Sequence, residues 1–98
     1  MRLSNLERKI LMEQAKKHFG ENAKVYLFGS RVDDNKKGGD IDLFIETDRE
    51  IEKSNELKFL TGFHRFATGR KVDLIVKTPS SRAKMIYETA KREGILLC

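Results

Sequence analysis

The sequence predicts a small α/β (α+β) fold: a mixed sheet of about three to four strands with helices packed mainly on one face. Three observations carry this expectation. Apolar and polar residues alternate with the period of a strand in DIDLFIE (40–46) and KVDLIVK (71–77), and VYLFGS (25–30) reads as a strand ending in Gly-Ser. Apolar residues return at three-and-four spacing in the stretches between and around them, the period of an amphipathic helix. The connections differ as well: a polar loop of nine residues joins the first two strands, and a helical stretch joins the second to the third. The first is compatible with an antiparallel pair, and the second with a parallel pair built by a right-handed crossover.

Taken in order, Ser4-Asn-Leu-Glu7 has the form of a capping box, with serine at the N-cap and glutamate three residues on. Leu6, Ile10, Leu11 or Met12, Ala15 and Phe19 then recur at helical spacing up to Gly20, so a helix is expected over 4–19. Lys16, Lys17 and His18 fall in its last turn, where cations suit the negative end of the helix dipole. A strand over 24–29 ends at Gly29-Ser30, and residues 31–36 suit a short helical turn before the Gly38-Gly39 pair. The second strand covers 40–46. Thr47-Asp-Arg-Glu50 and Ser54 both have cap character, and Leu57, Leu60, Phe63 or His64, and Ala67 mark a helix over 54–68. The third strand covers 71–77. Thr78-Pro79 fits an N-cap followed by proline in the first turn, and Met85, Ile86, Thr89 and Ala90 give the last helix a face before Gly94 stops it. Ile95-Leu96-Leu97 is apolar and needs cover; it and Phe59, Phe63 and Phe66 suit core packing or an interface.

A chain of 98 residues fits one domain over 1–98, and 39% hydrophobic with 36% charged residues fits a soluble protein with a thin core. The one cysteine, Cys98, permits no internal disulfide, and charged residues interrupt the N-terminal stretch before a signal-length apolar run can form. No stretch is long and apolar enough to cross a membrane, so a cytoplasmic location is expected. The net charge of +5 suits acidic partners, although surplus surface lysine explains it equally well.

Chemistry concentrates between Val25 and Glu46. Alternation puts Ile41, Leu43 and Ile45 on one face of the second strand, and Asp40, Asp42 and Phe44 on the other. The two carboxylates then project from one side, about 6.6 Å apart along the backbone. Asp73 interrupts an otherwise apolar strand in the same way. An Asp-x-Asp in a strand most often marks a solvated face, and a lone Gly-Ser means less. A charge within a central strand, however, is costly unless paired or liganded. Together, three acidic oxygen donors on one face suit Mg²⁺, with two ions bound by Asp40 and Asp42 and one completed by Asp73 as ligand or proton acceptor. Gly29 allows backbone N–H groups to approach an anion, Ser30 adds a hydroxyl donor, and Arg31, Lys36 and Lys37 add charge.

Gly-Ser, nine residues, Asp-x-Asp and a later strand aspartate form a pattern that resembles the DNA polymerase β-like nucleotidyltransferase superfamily. FGSRVDDNKKGGDIDLFIE looks most like its small stand-alone branch, the minimal nucleotidyltransferases (the MntA-like group). The resemblance runs from the leading helix to the closing KREGILL. It implies the nucleotidyltransferase fold, Mg²⁺, and transfer of a nucleotidyl group from ATP or another nucleoside triphosphate. Gly29 and Ser30 would hold the triphosphate, and Asp40, Asp42 and Asp73 the metal. In that branch the usual partner is a helical HEPN-type protein, a toxin adenylylated on tyrosine by its antitoxin nucleotidyltransferase. Here Val32-Asp33-Asp34 stands where the common pattern has Ala-Arg-Gly, with Lys36 and Lys37 as the nearby cations. The chain carries no second domain for an acceptor, so a partner or another copy is expected to bring it, in a homo- or hetero-oligomer.

Three other functions compete. A non-catalytic docking module would keep the fold and neutralise its partner by binding alone. A basic nucleic-acid binder would show steep salt dependence, and nucleic acid is not the expected partner. A small-molecule acceptor would need a pocket that the sequence does not reveal.

Overall fold

The computed structural model describes residues 3–28, 41–67, 69 and 71–97. Its elements are α1 (Asn5–Phe19), β1 (Lys24–Phe28), β2 (Ile41–Glu46), α2 (Lys53–Phe66), β3 (Val72–Lys77), α3 (Met85–Glu93) and β4 (Ile95–Leu96).

The capping box forms at the start of α1. Ser4 Oγ accepts the Glu7 N–H at 3.0 Å, and the Glu7 carboxylate accepts the Ser4 N–H at 2.8 Å. Two N–H groups that the helix itself leaves unpaired are thereby satisfied. The helix ends at Gly20, whose φ of 103° is one that side chains other than hydrogen tolerate poorly. Leu11, Ala15 and Phe19, four residues apart, form its buried row. Leu6, expected on that face, is exposed.

β1 and β2 pair antiparallel from Lys24↔Glu46 to Phe28↔Asp42, and β2 pairs parallel with β3 from Ile41↔Val72 to Glu46↔Lys77. The helix between the parallel strands is α2, as a crossover requires. β4 pairs antiparallel with β1 through Tyr26↔Leu96 and Leu27↔Ile95, giving a mixed sheet in the order β3-β2-β1-β4. The apolar tail is therefore a fourth strand. Leu97 donates its N–H to Val25 O at 2.7 Å and enters the core, while Ile95 and Leu96 stay exposed.

The main core lies between the sheet and the α1–α2 layer. Val25, Leu27, Ile41, Leu43 and Ile45 meet Leu11, Phe19, Phe59 and Phe63 there. Phe19 and Phe59 are tilted against each other at 5.1 Å between centroids, and Phe59 and Phe63 stack at 6.2 Å. The expected face of α2 is corrected accordingly: Phe59 and Phe63 are its buried residues, Leu60 is half-buried, and Leu57 points to solvent. Two phenylalanines four residues apart bury more apolar area than the leucines on the adjacent rows, and they set the rotation of the helix.

The other face carries a second, smaller core. Tyr26, Phe44, Tyr87 and Ala90 cluster there, with Phe44 at 5.7 Å from Tyr26 and 5.5 Å from Tyr87. α3 thus packs on the face that bears the aspartates, and only α1 and α2 share the face expected to hold the helices. Phe44 explains the difference, because a large apolar ring in the middle of that face requires cover. The start of α3 is corrected too. Thr78-Pro79 begins a turn closed by Ser81 N–H to Thr78 O at 3.0 Å, where proline occupies a favoured second position, and the helix begins at Met85. Thr47 caps no helix: it is buried and its hydroxyl donates to Arg49 O at 2.7 Å. Among the described residues, no helix is long and apolar enough to cross a membrane.

Candidate functional site

β2 is flanked on both sides, and its position 42 marks one end of the sheet. Asp42 lies opposite Phe28 of β1 and opposite Asp73 of β3. Residues that are partners across a parallel pair share a face, and neighbouring strands run about 4.8 Å apart. Asp42 and Asp73 are thus adjacent positions on the face that also carries Phe44. Their local sequences dictate this. In each strand an aspartate stands between apolar residues of the opposite face, Ile41 and Leu43 in one case and Val72 and Leu74 in the other.

Along this face the chemistry changes from end to end. Asp42 and Asp73 stand at the starts of their strands. Phe44 and Ile75 follow, covered by Tyr87 of α3, and Glu46 and Lys77 stand at the far end. There Lys91 of α3 donates to Glu46 Oε2 at 3.3 Å and Lys77 lies 3.8 Å from the same oxygen. α3 therefore covers the middle and the far end. Asp42 is half-buried, and the Asp73 side chain remains 50% exposed, open to a ligand from solvent.

One charged neighbour was not singled out from sequence. Lys71 Nζ lies 3.8 Å from Asp73 Oδ1, with both side chains largely in water, where such a pair contributes little. Its signal was the same alternation that found Asp73, since two positions along a strand return to one side.

The remaining candidates, Gly29, Ser30, Arg31, Lys36, Lys37 and Asp40, lie outside the described residues, as do the expected turn over 31–36 and the Gly38-Gly39 pair. β1 ends at Phe28 and β2 begins at Ile41, at the end of the sheet that carries Asp42 and Asp73. Among the described residues no group of three possible ligands is assembled. Asp42 and Asp73 supply two adjacent acidic oxygen donors, a donor set that suits a hard divalent cation such as Mg²⁺ rather than a thiophilic metal.

Compared with known protein families, residues 8–97 match the model of the nucleotidyltransferase domain. The match takes in all three aspartates, the four strands among the described residues and α1 beyond its first turn. No curated protein matches the chain.

Proposed function

The chain belongs to the nucleotidyltransferase domain family, and on that basis we propose an Mg²⁺-dependent transfer of AMP from ATP to a protein hydroxyl. The acceptor in this reading is a tyrosine of a helical HEPN-type partner, with this chain as the antitoxin. The observation that carries the chemistry is the register pairing of Asp42 with Asp73 at the open end of the sheet.

In this reading Gly29 and Ser30 bind the triphosphate through backbone N–H groups and the serine hydroxyl, and Arg31, Lys36 and Lys37 offset its charge. The acceptor oxygen attacks the α-phosphorus as the bond to the β-phosphate oxygen breaks, so pyrophosphate leaves and AMP is retained on the acceptor. Asp73, the more open carboxylate, takes the hydroxyl proton or orients the attacking oxygen. Asp40, Asp42 and Asp73 would hold Mg²⁺, which when bound offsets charge developing on the attacking and leaving oxygens.

The test is incubation with labelled ATP and Mg²⁺, offering as acceptor the protein encoded beside this chain. Mass spectrometry should find an added AMP on a tyrosine, and Asp42→Asn should remove it. Tight binding of the two proteins without an adduct would instead favour a docking module.

A further inference from the structure

We infer that the outer surface of the α1–α2 layer is a docking groove for an acidic, amphipathic segment of a partner protein. The inference stands apart from the proposed reaction, because α1 and α2 pack on the Ile41/Leu43/Ile45 face and the aspartates lie on the other.

The groove has a volume of about 320 Å³. Two rows of α2 build one wall, Leu57-Thr61-Arg65 and Lys58-Gly62-Phe66, and Gln14, Lys17 and His18 of α1 build the other. Gly62 leaves room for the Gln14 side-chain amide, which a methyl group there would push aside. Leu57 and Phe66 are 66% and 56% exposed, two large apolar side chains turned outward on a helix whose core row is already filled by Phe59 and Phe63. Scattered exposed apolar residues are ordinary, but these two line one groove.

Charge selects the occupant. Lys17, Lys58 and Arg65 line the groove, and none of the described residues lining it is acidic. Burial, then Lys17 and Lys58, hold the His18 imidazole below its ordinary pKa, as cations crowded beside the ring do. A carboxylate-bearing segment would relieve that crowding, and an apolar side chain on it would cover Leu57 and Phe66. Single-stranded nucleic acid fits less well. It binds by stacking bases on open aromatic platforms, and Phe66, the groove's aromatic ring, already has the Arg65 guanidinium at 5.5 Å over its face.

The test uses the full chain, ¹⁵N-labelled, and three probes. These are a short synthetic helix of glutamate and leucine, its counterpart with serine for leucine, and an oligouridylate of similar length. The Glu–Leu helix should shift amide resonances of residues 57–66 and of Gln14, Lys17 and His18. The double variant Lys58→Glu, Arg65→Glu should weaken it about tenfold, and Leu57→Ser should weaken it while circular dichroism shows both variants folded. The inference is overturned if the Glu–Leu helix fails to bind or its shifts map elsewhere. It is equally overturned if the serine counterpart binds as well, or if the oligouridylate binds more tightly.

Discussion

Asp42 and Asp73 ask different things of their surroundings, although they are register partners. Asp42 is half-buried between two strands, whereas Asp73 stands largely in water beside Lys71. Asp73→Asn is therefore expected to leave stability within about 0.5 kcal/mol of the parent, as an exposed and nearly isosteric change does. The same change should slow nucleotidyl transfer by about a hundredfold or more. A thermal melt beside an AMP-transfer assay separates the two effects, and equal losses in both would make Asp73 a structural residue. Alternation alone located both aspartates, because a period of two does not depend on what packs above. The candidates over 29–39 were read as a motif, since polar residues between two strand patterns obey no period, and they lie with Asp40 outside the described residues.

Glu50 shows what local pattern misreads. Thr47 to Glu50 looks like a helix cap, yet Glu50 reaches across to the loop after β3. It accepts from Ser80 Oγ at 2.7 Å, Ser80 N–H at 2.9 Å and Thr78 Oγ1 at 2.9 Å. No sequence spacing reports a bond between residues thirty positions apart. The hydrogen bonds from Ser80 and then Thr78 hold the Glu50 carboxyl below its ordinary pKa. A carboxyl lowered in the folded state stabilises fully above its unfolded value, and that contribution fades as the pH falls through the folded one. Parent and Glu50→Gln should thus melt apart at neutral pH and converge in acid; a gap that stays constant would assign the effect to something other than this ionisation.

At the scale of elements, the sequence was clearest where one signal acted alone. The capping box fixed the start of α1, β2 and β3 fell where alternation put them, and β1 fell on the apolar run that ends at Gly29. α3 was harder, because Thr78-Pro79 serves a turn as readily as a helix start, and the choice depends on Glu50 in another loop. Gly94 ends α3 for a packing reason as well. A methyl there would collide with Ala90 O and come within 3.2 Å of Leu27 O, both backbone atoms with little room to move. Gly94→Ala should therefore cost about 1–3 kcal/mol, by the penalty for overpacking, and chemical denaturation would register it as a lowered midpoint. Gly62→Ala should behave oppositely. Its obstacle is the end of the Gln14 side chain, which can swing aside, and alanine is favoured over glycine by about 0.8–1.0 kcal/mol in a helix interior. A lowered midpoint for Gly62→Ala would mean that Gln14 is held in place.

For the molecule as a whole, three layers divide the labour: α1 and α2, the sheet, and α3 over part of its other face. The sequence suggested the first two, since α1, β2 and β3 carry periodic core rows there. The third followed from Phe44, whose place among the aspartates made that face look like solvent when it is in fact half core. The tail also became legible only in three dimensions, because two residues are too few for a strand period and their partner, β1, is distant in sequence. Leu97 closes the main core from that segment, and Leu97→Ala should cost about 2 kcal/mol, toward the low end for buried leucine because it keeps 8% exposure and a two-residue strand carries it. A melt unchanged by this substitution would remove the tail from the cooperative unit.

Asp42 sits on an interior strand, while Asp73 rides on β3, the outermost strand on its side among the described residues. An outer strand is held by one ladder rather than two and opens more often than the middle of a sheet. The two carboxylates are neighbours only while that ladder is closed. The fraction of time for which the pair exists is then set by the fraying of one margin, and hydrogen exchange along β3 would read it as a clock rate. A ligand that bridges both acids would slow that clock, welding the margin to the interior.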